Sequence, residues 1–575
     1  MLLKRIKCLL CDFALIYLFY YGFCFINPWN SPLLATYFCF VGIYLLTTFL
    51  LLKRSLFQYL LGIEITGSPF AYTLLKILFL SIIPFVFTFR TGFFGLVPLI
   101  IFLFIINVIS YPIKKKTIWE LCTRAKLISS QRGKYTNSTT QIILFISSIL
   151  FLITAIQDVL LVKKEETQKD TPRVLSFLPL TRTPFPVSQV IVKKYVNDIQ
   201  ANKQEPLNYI MQLFEDHDIV VLCERVHPEY TQWQLFSQII FNDTFALKVG
   251  SVATEFGQIN AQTYLDSLLN ISFSSEEDRK KAFATIGRKN AIWPLWSNTN
   301  IYDFAVNLSK FNENKDKKQK VNWFFCDIAT DWDNLQDRQD WAMSGFANHS
   351  RDSIMAANII SVFNNLDNKK LLVIENTHHA YKENRGNELT TADYLYQHYG
   401  EHVAFVWINN VSLKSFGILF QPYQMGVLDA AASQIKDSTW AVSFSNSILG
   451  EDHFELLPHI DKWHLKMNDL FNGMIYYLPP SQHYLKDGYK YILDDFSETL
   501  LKRNKIVFGE ERGEEITNDE INNYEETSTR TAPYFLLFNL IFYIIHYSCL
   551  LILIFSFISI LRKKEKSIGY IPNDV

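Results

Sequence analysis

Apolar and polar positions are segregated along this chain rather than mixed. Uninterrupted apolar stretches fill residues 8–26, 33–52, 72–89, 92–110, 140–161 and 534–561, each of a length that suits a bilayer-spanning helix. Between 206 and 508 the pattern changes to short apolar runs separated by amphipathic segments, the alternation typical of α/β folds. Strands are expected at 219–226, 249–255, 321–327, 370–375 and 403–408, with helices near 229–241, 261–269, 276–286, 300–311 and 351–366. Runs such as Ile219-Val220-Val221-Leu222-Cys223 are apolar on both faces, as in strands buried within a parallel sheet. After residue 410 the elements shorten, with strands expected at 416–420, 440–445 and 474–478 and a helix near 488–503.

The expected fold class is therefore an α-helical membrane part of six spans joined to an exported α/β domain with a mainly parallel sheet. Residues 1–161 form the membrane part with five spans, 162–205 a Pro-punctuated linker, and 206–508 the α/β domain. Residues 509–532 read as a flexible acidic tether, 533–561 as the sixth span and 562–575 as a basic tail.

Cations set the expected orientation. Lys4, Arg5 and Lys7 precede the first span, Lys53 and Arg54 follow the second, seven Lys and Arg lie between the fourth and fifth, and Arg562, Lys563, Lys564 and Lys566 follow the sixth. By the positive-inside rule all face the cytoplasm. Both termini are then cytoplasmic and residues 162–532 extracytoplasmic, with the lipid bilayer as a partner. Asp12, inside the first span, is a costly group expected to face a partner or a polar cavity.

The formal net charge of −1 over 575 residues, with no basic face interleaved with aromatics in the central part, excludes nucleic acid as a partner. The eight cysteines make no disulfide framework, because five lie in apolar spans and only Cys223 and Cys326 belong to the central domain.

Ionisable residues collect where the expected parallel strands end: Glu224 and His227 after the first, Glu255 at the second, Asp327 at the third, and Asn376, His378 and His379 after the fourth. Open parallel sheets bind ligands beyond the carboxyl ends of their strands. A His held by a carboxylate takes a proton from water near neutral pH, and a second Glu can orient it. The same set could ligate a divalent metal or haem; on the acid–base reading no cofactor is required. No G-x-S-x-G elbow and no Gly-rich phosphate loop is present.

Two resemblances follow from named residues. Arg5-Ile6-Lys7-Cys8-Leu9-Leu10-Cys11-Asp12, Leu60-Leu61-Gly62-Ile63-Glu64-Ile65 and Trp119-Glu120-Leu121-Cys122-Thr123-Arg124 resemble RDD-family membrane domains, with Glu120 where that family has its second Asp. Glu224-x-x-His227, Thr254-Glu255, Arg351-Asp352-x-x-Met355-x-x-Asn358 and Glu375-Asn376-Thr377-His378, in that order, resemble the erythromycin-esterase family, which sits with ChaN-like and Tiki-type proteins in a wider α/β group.

That second resemblance implies His227 as general base, Glu255 as its supporting carboxylate and His378 as a second essential imidazole. Glu224, Arg351, Asn376 and His379 would shape the substrate pocket. Glu375 departs from the family's His, Arg225-Val226 from its small residues, and Pro228 from its Gly. The function expected is a membrane-anchored extracytoplasmic hydrolase acting on an ester- or amide-like small molecule; the alternative is a non-enzymatic haem or ligand receptor, or a transport-associated membrane protein.

Overall fold

The computed structural model describes residues 33–60, 63–84, 116–129, 188–290, 298–344, 351–382, 389–410, 423–452, 465–523 and 527–530, with isolated positions elsewhere. The chain divides into two units: 1–194 with 411–434 and 533–575, and 195–410 with 435–532.

In the first unit, among the described residues, no helix is long and apolar enough to cross a membrane. This corrects the six-span membrane part, the RDD-like assignment made for it, the reading of the protein as a membrane-anchored hydrolase or membrane receptor, and the localisation with 162–532 extracytoplasmic between cytoplasmic termini. The stretch 33–52 forms the helix Leu33–Leu52. In the stretch 72–89, helix Pro69–Ile77 runs through a π-helical turn, Leu78–Ile82, into helical residues 83–84, and 85–89 lies outside the described residues. Stretches 92–110, 140–161 and nearly all of 8–26 and 534–561 lie outside the described residues, as does Arg5.

The two carboxylates singled out in this unit have local partners. Asp12 is buried and accepts hydrogen bonds from the Tyr44 and Ser55 hydroxyls. Glu120 is fully buried in the capping box of helix Ile118–Thr123, accepting from the Thr117 N–H at 3.0 Å and from the Leu127 N–H at 3.2 Å.

The second unit is built on a seven-stranded sheet. Its strands are β1 (Ile219–Glu224), β2 (Ser251–Gln258), β3 (Asn322–Asp327), β4 (Leu371–Asn376), β5 (Val403–Ile408), β6 (Thr439–Ser443) and β7 (Gly473–Tyr477). They lie in the order β6-β7-β5-β1-β4-β2-β3, every neighbouring pair parallel except β6 with β7. Apolar burial on both faces explains the runs: every residue of β1, β5 and β7 is buried. Val220, Leu222, Val252, Leu372 and Ile374 pack with Phe236 and Ile240 of helix α1 (Tyr230–Ile240) and with Phe304 and Leu308 of α2 (Thr299–Asn312) in one core. Helix α3 (Arg351–Asn364) buries Met355, Ala356 and Ile359 and is tied to β3 by the Asn358 amide, which donates to the Cys326 carbonyl at 2.9 Å.

Two regions expected to lack structure carry it. Residues 189–202 of the expected linker form helix Gln189–Asn202. Residues 510–523 of the expected tether form helix Glu510–Asn523, and Thr527–Arg530 pairs antiparallel with Tyr484–Asp487. Gly513 lets Glu510–Asn523 approach Ser497–Phe508 closely, for a Cβ there would lie 2.6 Å from the Lys505 nitrogen.

Candidate active site

The loop leaving β1 is anchored from below by Arg225. Its guanidinium is 1% exposed and all five of its N–H groups are used. Nε donates to the Asn409 carbonyl, Nη1 to Glu229 and to the Thr231 hydroxyl, and Nη2 to the Asn409 side chain and the Tyr477 carbonyl, at 2.7–3.1 Å. Glu229 also caps α1, accepting from the Thr231 and Gln232 N–H groups. The Asn300 amide of α2 donates to the His227 carbonyl at 2.7 Å. The segment from 224 to 229 is thereby held on three sides.

On this loop Glu224 and His227 form a dyad. His227 Nδ1 lies 2.6 Å from Glu224 Oε2, and Glu224 Oε1 accepts from the Trp233 indole N–H at 2.9 Å. Glu224 is buried, whereas the His227 side chain is 34% exposed, so a molecule arriving from solvent can reach its ring. Its other nitrogen, Nε2, lies 3.9 Å from Glu255 Oε1.

Glu255 owes its position to a break in the β2 ladder. Thr254 pairs with Phe325 and Gln258 with Asp327, so residues 255–257 of β2 oppose residue 326 alone. Such a bulge re-aims a side chain at a strand end. Gly257 makes it feasible: its φ is +105°, and a Cβ there would fall 2.0 Å from the Phe325 ring. Gly257→Ala is therefore expected to destabilise the domain by about 2–5 kcal/mol, read from the denaturant midpoint, and to displace Glu255.

Arg351, the first residue of α3, spans the carboxylates. It donates through Nε and Nη2 to the two oxygens of Asp327 at 3.0 and 2.8 Å, and through Nη2 to Glu255 Oε1 at 2.8 Å. Glu255 Oε2 accepts the Asn376 N–H at 2.8 Å. Arg351 Nη1 lies 3.1 Å from His379 Nε2, while His379 Nδ1 faces Asp352 Oδ1 at 2.8 Å, and Asp352 also accepts from the Thr391 N–H and hydroxyl. The His379 Nε2 to Glu255 Oε1 distance is 3.6 Å.

Electrostatics follow from these contacts. Burial alone would lower the His227 pKa, but the charge and hydrogen bond of Glu224, with the charge of Glu255, overcome it and hold the imidazole at about 9. Burial tends to raise the Glu255 pKa, yet His379, Arg351 and His227 carry it well below the usual carboxylate range. Burial, reinforced by the neighbouring carboxylates Glu255 and Asp352, pushes the Glu375 carboxyl well above the usual carboxylate range.

The structure thus brings together Glu224, His227, Glu255, Arg351, Asn376 and His379. It leaves His378 exposed, with its backbone N–H bonded to the Asn376 side chain at 3.1 Å. Thr377 causes the difference: its N–H and hydroxyl both bind the Glu224 carbonyl, so the chain turns and presents residue 379 to the site. Trp233, Asn300 and Thr391 are partners that sequence reading missed, since each looks like an ordinary helix residue.

Glu224, His227 and Glu255 also offer three ligand atoms within 4.8 Å of one another, a spacing that could hold a metal ion. Glu224 Oε2 and His227 Nδ1 face each other, and Glu255 Oε1 accepts from the Arg351 guanidinium, so a bound ion would share these groups with their present contacts.

No family model and no curated protein matches the chain. Two solved structures resemble it in part. A crystal structure of a Bacillus cereus protein covers 49% of this chain and 96% of its own at 12% identity and a TM-score of 0.37. A succinoglycan biosynthesis protein covers 51% and 98% at 10% identity and a TM-score of 0.33. At these values the likeness assigns no function.

Proposed function

We propose that the α/β unit is an acid–base enzyme in which His227, oriented by Glu224, takes a proton from an O–H nucleophile at the strand ends, for attack on an acyl carbon. The observation that carries this is the His227–Glu224 dyad: Nδ1 is occupied by a buried carboxylate at 2.6 Å, and Nε2 of a partly exposed ring faces the other site groups. The resemblance of Glu224-x-x-His227, Glu255 and Arg351 to the erythromycin-esterase pattern supports the same chemistry. Arg351 neutralises Glu255 and Asp327, which leaves the imidazole as the stronger base of the set. No cofactor enters the reading.

The His227 pKa of about 9 fixes the pH dependence. The basic, uncharged ring is the minor form at neutral pH, so kcat/KM is expected to rise about tenfold per pH unit toward about 9. The sign for stability is opposite. A pKa raised from 6.5 to about 9 contributes stability fully present below 6.5 and lost as pH passes through 9.

The experiment is turnover of nitrophenyl and alkyl acetates by the full chain, with water or added alcohol as acceptor, in the presence and absence of chelator. Turnover insensitive to chelator and abolished by His227→Ala is the expected result. Activity lost to chelator and restored by a divalent ion would replace this reading with a metal-dependent one.

A further inference from the structure

Two imidazoles flank a single carboxylate oxygen. His227 Nε2 lies 3.9 Å and His379 Nε2 3.6 Å from the same Glu255 Oε1. Each ring has its Nδ1 held by a carboxylate of its own, Glu224 at 2.6 Å and Asp352 at 2.8 Å. Asp352 is itself fixed by the Thr391 N–H at 2.7 Å and the Thr391 hydroxyl at 2.9 Å, so the second dyad is as firmly oriented as the first. A lone base would require one carboxylate–imidazole pair, and this site holds two, on different elements, converging on one point.

We propose that His379, and not His378, is the second acid–base group of the site: it delivers the proton that the departing oxygen needs. This rests on the acid–base reading of His227 given above. The step balances as follows. His227 Nε2 takes the proton of the attacking O–H group as the new C–O bond forms. The bond from the acyl carbon to the leaving oxygen breaks with its electron pair, and that oxygen takes a proton from His379 Nε2. Exchange with solvent then returns His227 and His379 to their starting states.

Position explains why one imidazole cannot do both tasks easily. His227 sits on the loop after β1 and His379 on the turn after β4, so the rings approach Glu255 from different strand ends. Arg351 Nη1, 3.1 Å from His379 Nε2, is a donor for the neutral ring, and Glu255 Oε1, 3.6 Å from the same nitrogen, is a carboxylate within reach of the protonated one. His379 therefore has a partner in both of its charge states, as a group that gives up and recovers a proton requires. His378, by contrast, is exposed.

The test compares leaving groups in the full chain. Nitrophenoxide departs without a proton, whereas an alkoxide must be protonated as it leaves. His379→Ala is expected to lower kcat on an alkyl acetate by on the order of 100-fold while lowering it on nitrophenyl acetate by less than about threefold. Added imidazole should restore the alkyl reaction. His379→Gln, which keeps a polar group against Asp352, should show the same split if the alanine variant folds poorly. Equal losses on both esters, or a leaving-group-dependent loss in His378→Ala and not in His379→Ala, would overturn the assignment while leaving the role of His227 standing. Undiminished activity of His227→Ala on both esters, or no turnover by the parent protein, would instead remove the reading on which the assignment rests.

Discussion

His227→Ala is expected to lower turnover by about 10²–10⁴-fold. The ring is partly exposed, and Nε2 is its nitrogen that faces away from Glu224. Glu224→Gln is the companion variant. It keeps the shape and the Trp233 contact but removes the charge that holds the imidazole up, so the ring loses both orientation and basicity. Its turnover should fall at high pH, where the parent ring is fully basic. A His227→Ala variant with parental rates would remove His227 from the chemistry.

The second large effect is on stability. Asp327 is fully buried, Glu255 nearly so, and Arg351 is the cation that both of them contact. Arg351→Met leaves Asp327 without its cation and Glu255 with only the two imidazoles beside it, and is expected to destabilise the domain by about 3–5 kcal/mol, the range for breaking one side of a buried ion pair. Part of that loss should be recovered at low pH, as the abandoned carboxylates take up protons. Arg351→Lys should help only partly, because an ammonium cannot present the fork that bonds both Asp327 oxygens and Glu255 together. Equilibrium unfolding at neutral and acidic pH checks both statements; an unchanged midpoint at neutral pH would mean that the network does not hold the strand ends.

The sheet was legible because burial on both faces leaves a strong signal: β1, β3, β4 and β5 lie within two residues of the stretches read from apolar runs. Their polar ends were legible for the same reason, as ionisable groups interrupt those runs abruptly. The bulge that turns Glu255 was not, since a register shift depends on the partner strand and only Gly257 hints at it. Arg225 read only as a departure from the erythromycin-esterase pattern; its five buried acceptors come from three separate strand ends and loops, which no local pattern records. His378 and His379 differ by one position, and the two Thr377 bonds to Glu224 decide between them.

In the first unit, apolar run length was the misleading quantity. Hydropathy reports side-chain character and is silent on local helix geometry such as the π-helical turn Leu78–Ile82. The acidic stretch after 509 misled in the other direction. Its low apolar content hides polar packing, in which the Asn504 amide donates to the Thr517 hydroxyl and to Glu520, both at 2.9 Å.

The central claim is that His227, held by Glu224, is the group that accepts the proton, and the pH profile of kcat/KM in the full chain tests it most directly. The account predicts a limb that rises to about pH 9 in the parent protein and moves down toward 6.5 in Glu224→Gln. A profile without that limb, or one whose position is the same in Glu224→Gln, would contradict it.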